Sequence, residues 1–311
     1  MFSGVTFSTT TTPQTTLSSF NPKHNPILYS RKPTSYSLFP PPQRRRVASS
    51  ASILHLPLLP FPLDQVLVPC EVKTLHLYEA RYLALLDESL FKKRKQFVHF
   101  VLDPIAMSQT SAEVSFAARY GCLVMIEKVF KWKTIQLQFM QVERLDVGAM
   151  VSVRGVGRVK IAQFEQAEPY LKGAVVPLLD SDLDSTTDIS SKVCELRESI
   201  QSLNNLEVKL KAPREALLQT QVANCLTWAE SVPNWDLDES FIPALPERVS
   251  FAAFQPITGS SEMELITLQK EKLKAMDIKY TKERLESSLE FTANNISRVA
   301  AKLAIQSLDF Q

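Results

Sequence analysis

The chain has 311 residues, of which 45% are hydrophobic and 22% are charged, and its formal net charge is +2. This apolar content is sufficient for a globular core and excludes a wholly disordered chain. The four cysteines, Cys70, Cys122, Cys194 and Cys225, are too few and too far apart for a disulfide framework or a zinc pair, so we expect buried free thiols.

The first fifty residues differ sharply from the rest of the chain. Residues 1–50 contain no Asp or Glu, are rich in Ser and Thr, and end in the basic run RRRVASS. This composition predicts a disordered transit peptide, with the chloroplast stroma as the expected destination and the mitochondrion as the alternative. Six of the 35 basic residues lie there, which leaves 29 basic against 33 acidic residues in the mature chain. That balance argues against broad nucleic-acid binding.

Residues 54–180 predict a small mixed β-barrel with one early helix. Prolines divide the first apolar stretch, LHLPLLPFPLDQVLVPCEV, into short extended segments, because proline fixes φ and cannot donate to a strand ladder. Between Tyr78 and Lys95 the leucines recur at helical spacing, and a KKRK run ends the predicted helix. Further strands are predicted over residues 97–104, 120–132, 133–147, 150–166 and 170–180, with a polar loop over residues 107–119.

The acidic segment DSDLDSTTD, residues 180–188, predicts a boundary, and residues 189–308 predict a helical subdomain. Apolar residues there recur at steps of three and four, the spacing of one helix face. The longest predicted helix closes the chain, with Thr292 at the one polar position of its apolar seam. A repeat of fewer than three heptads favours a helix that packs on its own domain over a helix that forms the seam of a dimer. The aliphatic residues of the seam are Leu285, Leu289, Ile296, Val299 and Leu303.

No segment has a recognisable catalytic motif. A phosphate-binding loop ends in Gly-Lys, and none of the seven glycines precedes a lysine. The RGVGR cluster lies between predicted strands, where a β-bulge or a close backbone approach explains its glycines. The histidines beyond residue 50 lie in apolar, strand-like runs and are expected to be structural. We therefore expect no catalytic residue, no cofactor and no metal site.

Two alternatives stay open from the residues alone. An ATP-independent peptidase with a lysine-activated Ser nucleophile, or with Cys70 and His76 as thiol and base, leaves little local signature. An RNA-binding protein is the other, because aromatic and basic residues near the turn between two predicted strands could stack on nucleic acid. The residues of that cluster are Tyr120, Lys128, Lys131, Trp132 and Lys133.

The chain contains four separate motifs whose order is informative. In chain order they are LPLLPFPL, LHLYEARY, FAARYGCLVMI, and VSVRGVGRVKI together with EPYLKGAVV. Together with the helical residues 250–291, they resemble the Lon substrate-binding domain, the non-catalytic N-terminal domain of ATP-dependent Lon proteases. The nearest resemblance is to stand-alone plant plastid proteins that lack the ATPase and Ser-Lys peptidase modules. The family-signature positions in this chain are Glu79, Arg81, Tyr82, Gly121, Gly155 and Arg158.

The resemblance implies an α+β fold, a PUA-like mixed β-barrel followed by an α-helical bundle. It also implies a polypeptide-binding or adaptor module that engages unfolded or extended clients and presents them to a plastid protease or chaperone, without enzyme activity. The signature residues are expected to be structural. Glu79 and Arg81 would fix the corner between a strand and a helix, each with its own partner, since residues two apart do not face each other on a helix.

Overall fold

The computed structural model describes residues 52–107, 114–132, 148–181, 186–211, 220–231 and 237–308. The predicted transit peptide, residues 1–50, and the strand predicted over residues 133–147 lie outside these ranges. The described strands and helices belong to one compact unit.

In the described part of the chain, six strands precede most of the helices. The strands are β1 (Leu54–Phe61), β2 (Val72–Leu77), β3 (Gln96–Met107), β4 (Val114–Trp132), β5 (Gly148–Gln166) and β6 (Lys172–Pro177). The helices are α1 (Ala80–Lys92), α2 (Thr186–Lys211), α3 (Gln221–Glu230), α4 (Leu245–Phe251), α5 (Glu262–Asp277) and α6 (Thr281–Leu308), with short 3-10 turns at Leu63–Gln65 and Glu239–Phe241.

The strands form a closed, mixed barrel. The ring runs β5–β4–β3–β1–β6 and returns to β5, while β2 pairs with the first part of β5 outside the ring. Only β1 and β3 are parallel, and the other pairings are antiparallel. Closure leaves few unpaired strand edges. The predicted α+β class, a mixed barrel followed by helices, is confirmed.

Several barrel strands are buried on both faces, which explains their nearly continuous apolar sequences. Leu58 of β1 and Phe100 of β3 belong to one cluster of buried residues. The adjacent Leu59 and Val101 belong to a second cluster, which joins the barrel to α1 and α5. Because successive side chains of a strand point in opposite directions, a run such as LPLLPF packs on both sides of the barrel wall.

The helical part has a core of its own between α2, α3, α4 and α6. All five aliphatic seam residues of α6 pack into it, so the prediction that this helix packs on its own domain is confirmed. Thr292 is fully buried, and its hydroxyl donates to the Ser288 carbonyl oxygen over 2.7 Å. This bond within the helix satisfies the one polar group of the seam. None of the described helices combines the length and the apolar run that a bilayer crossing requires.

Two local expectations are corrected. Residues 107–119 were expected to form a loop, but β4 begins at Val114, which pairs with Met107 of β3. Pairing with a neighbouring strand outweighs the polar composition, because strand preference depends on such neighbours more than on intrinsic propensity. Cys194 is exposed, whereas all four thiols were expected to be buried. It lies on α2, outside the apolar face of that helix.

Candidate functional site

The corner between β2 and α1 carries the first signature residues. Glu79 immediately precedes α1 in an extended conformation, with φ −74° and ψ 138°. Because it lies outside the helix, its carboxylate reaches Arg81, whose Nε donates to Glu79 Oε2 over 2.6 Å. The expectation that each residue would need its own partner is therefore wrong. The Arg81 side chain is 42% exposed, so this surface ion pair stabilises the fold by at most about 1 kcal/mol.

Tyr82 occupies the inner side of the same corner. The residue is 5% exposed and packs in the cluster of buried residues between α1 and the barrel. The Arg81 guanidinium carbon lies 4.6 Å from the centre of the Tyr82 ring. The signature thus places an aromatic side chain in the core beneath a surface ion pair.

Gly121 and Gly155 lie on β4 and β5, where backbones approach closely. A Cβ added at Gly121 would lie 2.7 Å from the Val159 carbonyl oxygen, and one at Gly155 would lie closer than 3.0 Å to the Val68 carbonyl oxygen. The pairing register shifts between Gly155 and Gly157, which leaves Val156 as the extra residue of a β-bulge. The bulge and close approach predicted for RGVGR are both confirmed.

Arg158 of β5 is the most highly connected signature residue. Its side chain is 2% exposed. Its Nη1 donates to the carbonyl oxygens of Met276 and Ile278, over 3.0 and 2.7 Å. Its Nη2 donates to the carboxylates of Asp180 and Glu247, the latter over 3.2 Å. The barrel is thereby joined to the end of α5 and to α4.

Arg284 of α6 completes this arrangement from the helical side. It is fully buried and donates to Asp180, to Ser250 Oγ over 2.8 Å and to the Ile278 carbonyl oxygen over 2.7 Å. Two cations therefore face two carboxylates in a site whose formal charge is zero. We call Arg158, Asp180, Glu247 and Arg284 the buried ion cluster.

Electrostatics in the buried ion cluster favour a structural role. Burial and the nearby Asp180 charge raise the pKa of Glu247, although both arginines oppose this shift. Burial and the Arg158 charge lower the pKa of Arg284. Each charged group is nevertheless paired, which is the condition under which buried ions are tolerated. The cluster connects the two parts of the fold and presents no isolated acid or base.

The thiol and imidazole proposed for a peptidase are not paired with each other. The Cys70 thiol donates to the Arg248 carbonyl oxygen over 3.3 Å, not to His76. Burial raises the pKa of each buried thiol, namely those of Cys70, Cys122 and Cys225. These thiols stay protonated at neutral pH, and the protonated form is a poor nucleophile.

His99 has the structural role expected of a histidine in an apolar strand. It is 1% exposed, and its ring stacks on that of Phe61 with centroids 3.9 Å apart. Burial lowers the pKa of His99 well below its usual value, so the ring is neutral at physiological pH.

An apolar groove of about 390 Å³ opens beside the end of α1. Its apolar lining consists of Leu90 and Phe91 of α1 and of Ile126 and Val129 of β4. We call these four residues the apolar groove. Phe91 is 79% exposed. An exposed aromatic side chain beside aliphatic ones is typical of a surface that binds another molecule.

A second cleft, of about 380 Å³, lies where β6 leaves the barrel. Leu178 and Leu179 line it and are 42% and 36% exposed. Arg158 lines it as well, but that arginine already belongs to the buried ion cluster. The apolar groove is the better candidate for binding, because Phe91 is more exposed than Leu178 or Leu179 and takes no part in the buried ion cluster.

The sequence did not identify the residues of the apolar groove. Leu90 and Phe91 belong to a predicted helix and Ile126 and Val129 to a predicted strand, but only the fold brings these two segments together. In the basic and aromatic cluster, the side chain of Lys128 is exposed. The side chains of Tyr120, Lys131 and Trp132, and the whole of Lys133, lie outside the described part.

Comparison with known families gives one match. The pattern of the family described as ATP-dependent protease La (LON) substrate-binding domain matches residues 55–245. Among solved structures, a Lon N-terminal domain protein from Xanthomonas campestris is similar at 19% identity and a TM-score of 0.39, over 76% of this chain and 98% of that one. The N-terminal domain of a Mycobacterium avium complex Lon protease is similar at 12% identity and a TM-score of 0.39, over 77% and 98%. Comparison with curated proteins gives no significant match.

Proposed function

This chain belongs to the family of the substrate-binding domain of ATP-dependent Lon proteases, and we propose from that membership that it binds unfolded or extended polypeptides without cleaving them. The family match, which spans residues 55–245, is the observation that carries the proposal. The chain would act as an adaptor that presents its clients for proteolysis or quality control. Its partner would be a protease or chaperone of the same compartment.

The apolar groove supplies a physical means of binding. Phe91 is held on α1 and Val129 on β4, so little conformational entropy is lost when a ligand covers them. Full burial of an exposed phenylalanine stabilises a complex by about 1.5 to 3 kcal/mol. Such a groove favours unfolded over folded chains, since a folded protein keeps most of its large apolar side chains inside.

We place the protein in the chloroplast stroma within the same proposal. The acid-free, Ser- and Thr-rich composition of residues 1–50 supports import and removal of that segment. Incubation of the full chain with isolated chloroplasts is expected to give a protease-protected product shortened by about fifty residues. Import into mitochondria instead, or no import, would contradict this location.

The binding proposal is tested with a reduced and alkylated protein that cannot refold. Labelled with a fluorophore, it should bind the full chain, as measured by anisotropy, while its native form does not. Phe91→Ser is expected to weaken binding by at least about tenfold, because the exposed aromatic contact in the groove is lost.

Phe164→Ser is the matched control for that experiment. Phe164 is also an exposed phenylalanine, at 52%, but it lies on β5, where it pairs with Gly173 of β6, and it does not line the apolar groove. This variant should bind like the unchanged protein. Equal loss in both variants, or no binding by the unchanged chain, would contradict the proposal. Fragments of the unfolded protein formed without ATP would instead favour a peptidase.

A further inference from the structure

We infer that the apolar groove selects polypeptide segments in which acidic residues flank an apolar core. This inference rests on the proposed function and concerns which clients the groove prefers. Lys95 lines the groove beside Phe91. Lys92, the last residue of α1, and Lys95 are both exposed. An apolar floor therefore has a positively charged border.

Backbone hydrogen bonds hold this border next to the groove. Arg94 and Lys95 both adopt the left-handed conformation, with φ of 51° and 63°. Lys95 N donates to the Ser89 carbonyl oxygen, and Ile126 N donates to the Lys95 carbonyl oxygen, each over 2.9 Å. Two consecutive left-handed residues other than glycine are uncommon, so the turn depends on these bonds. They fix Lys95 beside Ile126, and the positive charge stays at the groove.

Neighbouring carboxylates are already engaged by other cations. Glu127 lines the groove, but it accepts a hydrogen bond from Arg154 Nε. Glu88 on α1 pairs with Lys172 Nζ over 2.6 Å and accepts a hydrogen bond from the Tyr170 hydroxyl. Residues 87–95 carry four basic and two acidic side chains, so the end of α1 keeps a net positive charge.

This combination defines the ligand. Aliphatic and aromatic side chains of a client would cover Phe91 and Val129, and its flanking Asp or Glu would lie near Lys92 and Lys95. Charge complementarity of this kind accelerates association and raises specificity, and salt screens it. An acidic polypeptide fits better than a nucleic acid, because the chain beyond residue 50 has an excess of acidic residues and would repel an extended polyanion.

Three peptides with the same core of Leu, Phe and Val test the inference. Glu, Gln or Lys residues flank the core, and fluorescence anisotropy measures binding to the full chain. We expect the Glu peptide to bind about tenfold more tightly than the Lys peptide at low salt, with a smaller ratio as salt shortens the screening length. The Gln peptide should bind with intermediate affinity at every salt concentration.

Charge reversal locates the effect, because the six basic residues of positions 1–50 could also attract an acidic peptide. Lys92→Glu combined with Lys95→Glu should invert the preference, so that the Lys peptide binds more tightly and the Gln peptide is unchanged. Lys209→Glu, on an exposed position of α2, is the matched control and should preserve the preference.

The outcomes separate the inference from the proposed function. Equal binding of all three peptides, unaffected by charge reversal, would overturn the inference and leave apolar polypeptide binding intact. No binding of any peptide would contradict both. Single-stranded RNA and vesicles of anionic lipid are tested as competitors of the labelled Glu peptide. If either displaces it at a lower concentration than unlabelled Glu peptide does, the basic border binds another partner and the inference is overturned.

Discussion

Replacement of Arg158 with alanine is expected to lower the free energy of unfolding by about 3 to 5 kcal/mol. The change leaves Asp180 and Glu247 with a single buried cation, Arg284, and removes the donors to two backbone carbonyl oxygens. Buried carboxylates without a full complement of partners are costly in a site of low polarity. Chemical denaturation followed by circular dichroism measures the loss.

Arg81→Ala is the control, because it removes the other signature arginine from a surface ion pair. Its cost should not exceed about 1 kcal/mol. Arg158→Lys retains the charge but not the planar fork, so its stability should lie between those of the unchanged protein and the alanine variant. It also serves as the readout if Arg158→Ala does not accumulate as folded protein. A similar, small loss in Arg81→Ala and Arg158→Ala would refute the structural role of the buried ion cluster.

The loss of unfolding free energy in Arg158→Ala, which we call the deficit, depends on pH if it comes from lost charge and not if it comes from lost packing. The pKa of Glu247 is already raised by burial and by Asp180, and removal of Arg158 removes one of the two cations that oppose this shift. A carboxyl whose pKa is raised in the folded state favours folding below its unfolded pKa and loses that contribution as pH rises through the folded value. The deficit should therefore shrink as pH is lowered from 7 toward 5, before other carboxyl groups protonate. A deficit caused by packing alone would not change over that interval.

Gly155→Ala is expected to cost about 3 kcal/mol, at the upper end of the range for overpacking. The new methyl group would lie closer than 3.0 Å to the Val68 carbonyl oxygen, a backbone atom that no side-chain rotation can move. Gly155 N also donates to the Glu71 carbonyl oxygen over 2.9 Å, and Cys70 N donates to the Gly155 carbonyl oxygen over 3.0 Å. Relief of the clash must therefore disturb hydrogen bonds at the bulge.

Gly148→Ala provides the comparison on the same strand. A Cβ at Gly148 would meet its nearest atom, the Leu77 carbonyl oxygen, at 3.4 Å, an ordinary contact. This variant should retain its thermal midpoint within a few degrees, whereas Gly155→Ala should melt more than about 10 °C lower. Equal midpoints for the two variants would show that β5 yields easily at the bulge.

Features set by local periodicity were predictable from the sequence. The spacing of leucines located α1, and the seam residues located α6, because one buried face imposes a helical period. The start of β4 was harder to predict, because backbone pairing with β3, and not an alternation of apolar residues, holds its first residues in a strand. Strand pairing is a contact between distant segments and leaves little trace in local composition.

The candidate site was predictable only in part. The motif resemblance singled out Arg158 and Gly155, but the partners of the Arg158 side chain lie between 22 and 120 positions further along the chain, at residues 180 to 278. Asp180 was assigned to a polar boundary, and Glu247 drew no prediction. Phe91 resembled an ordinary apolar position of a helix. Its exposure depends on which neighbours the fold packs against it, and no local pattern encodes that.

The buried ion cluster has a consequence for how this domain can be divided. The family pattern ends at residue 245, yet Glu247, Arg284 and both carbonyl groups that receive Arg158 Nη1 come from later positions. A fragment that ends at residue 245 would leave the Arg158 side chain with Asp180 as its one remaining partner among these groups. The segment that must fold together is therefore longer than the segment that the family pattern matches.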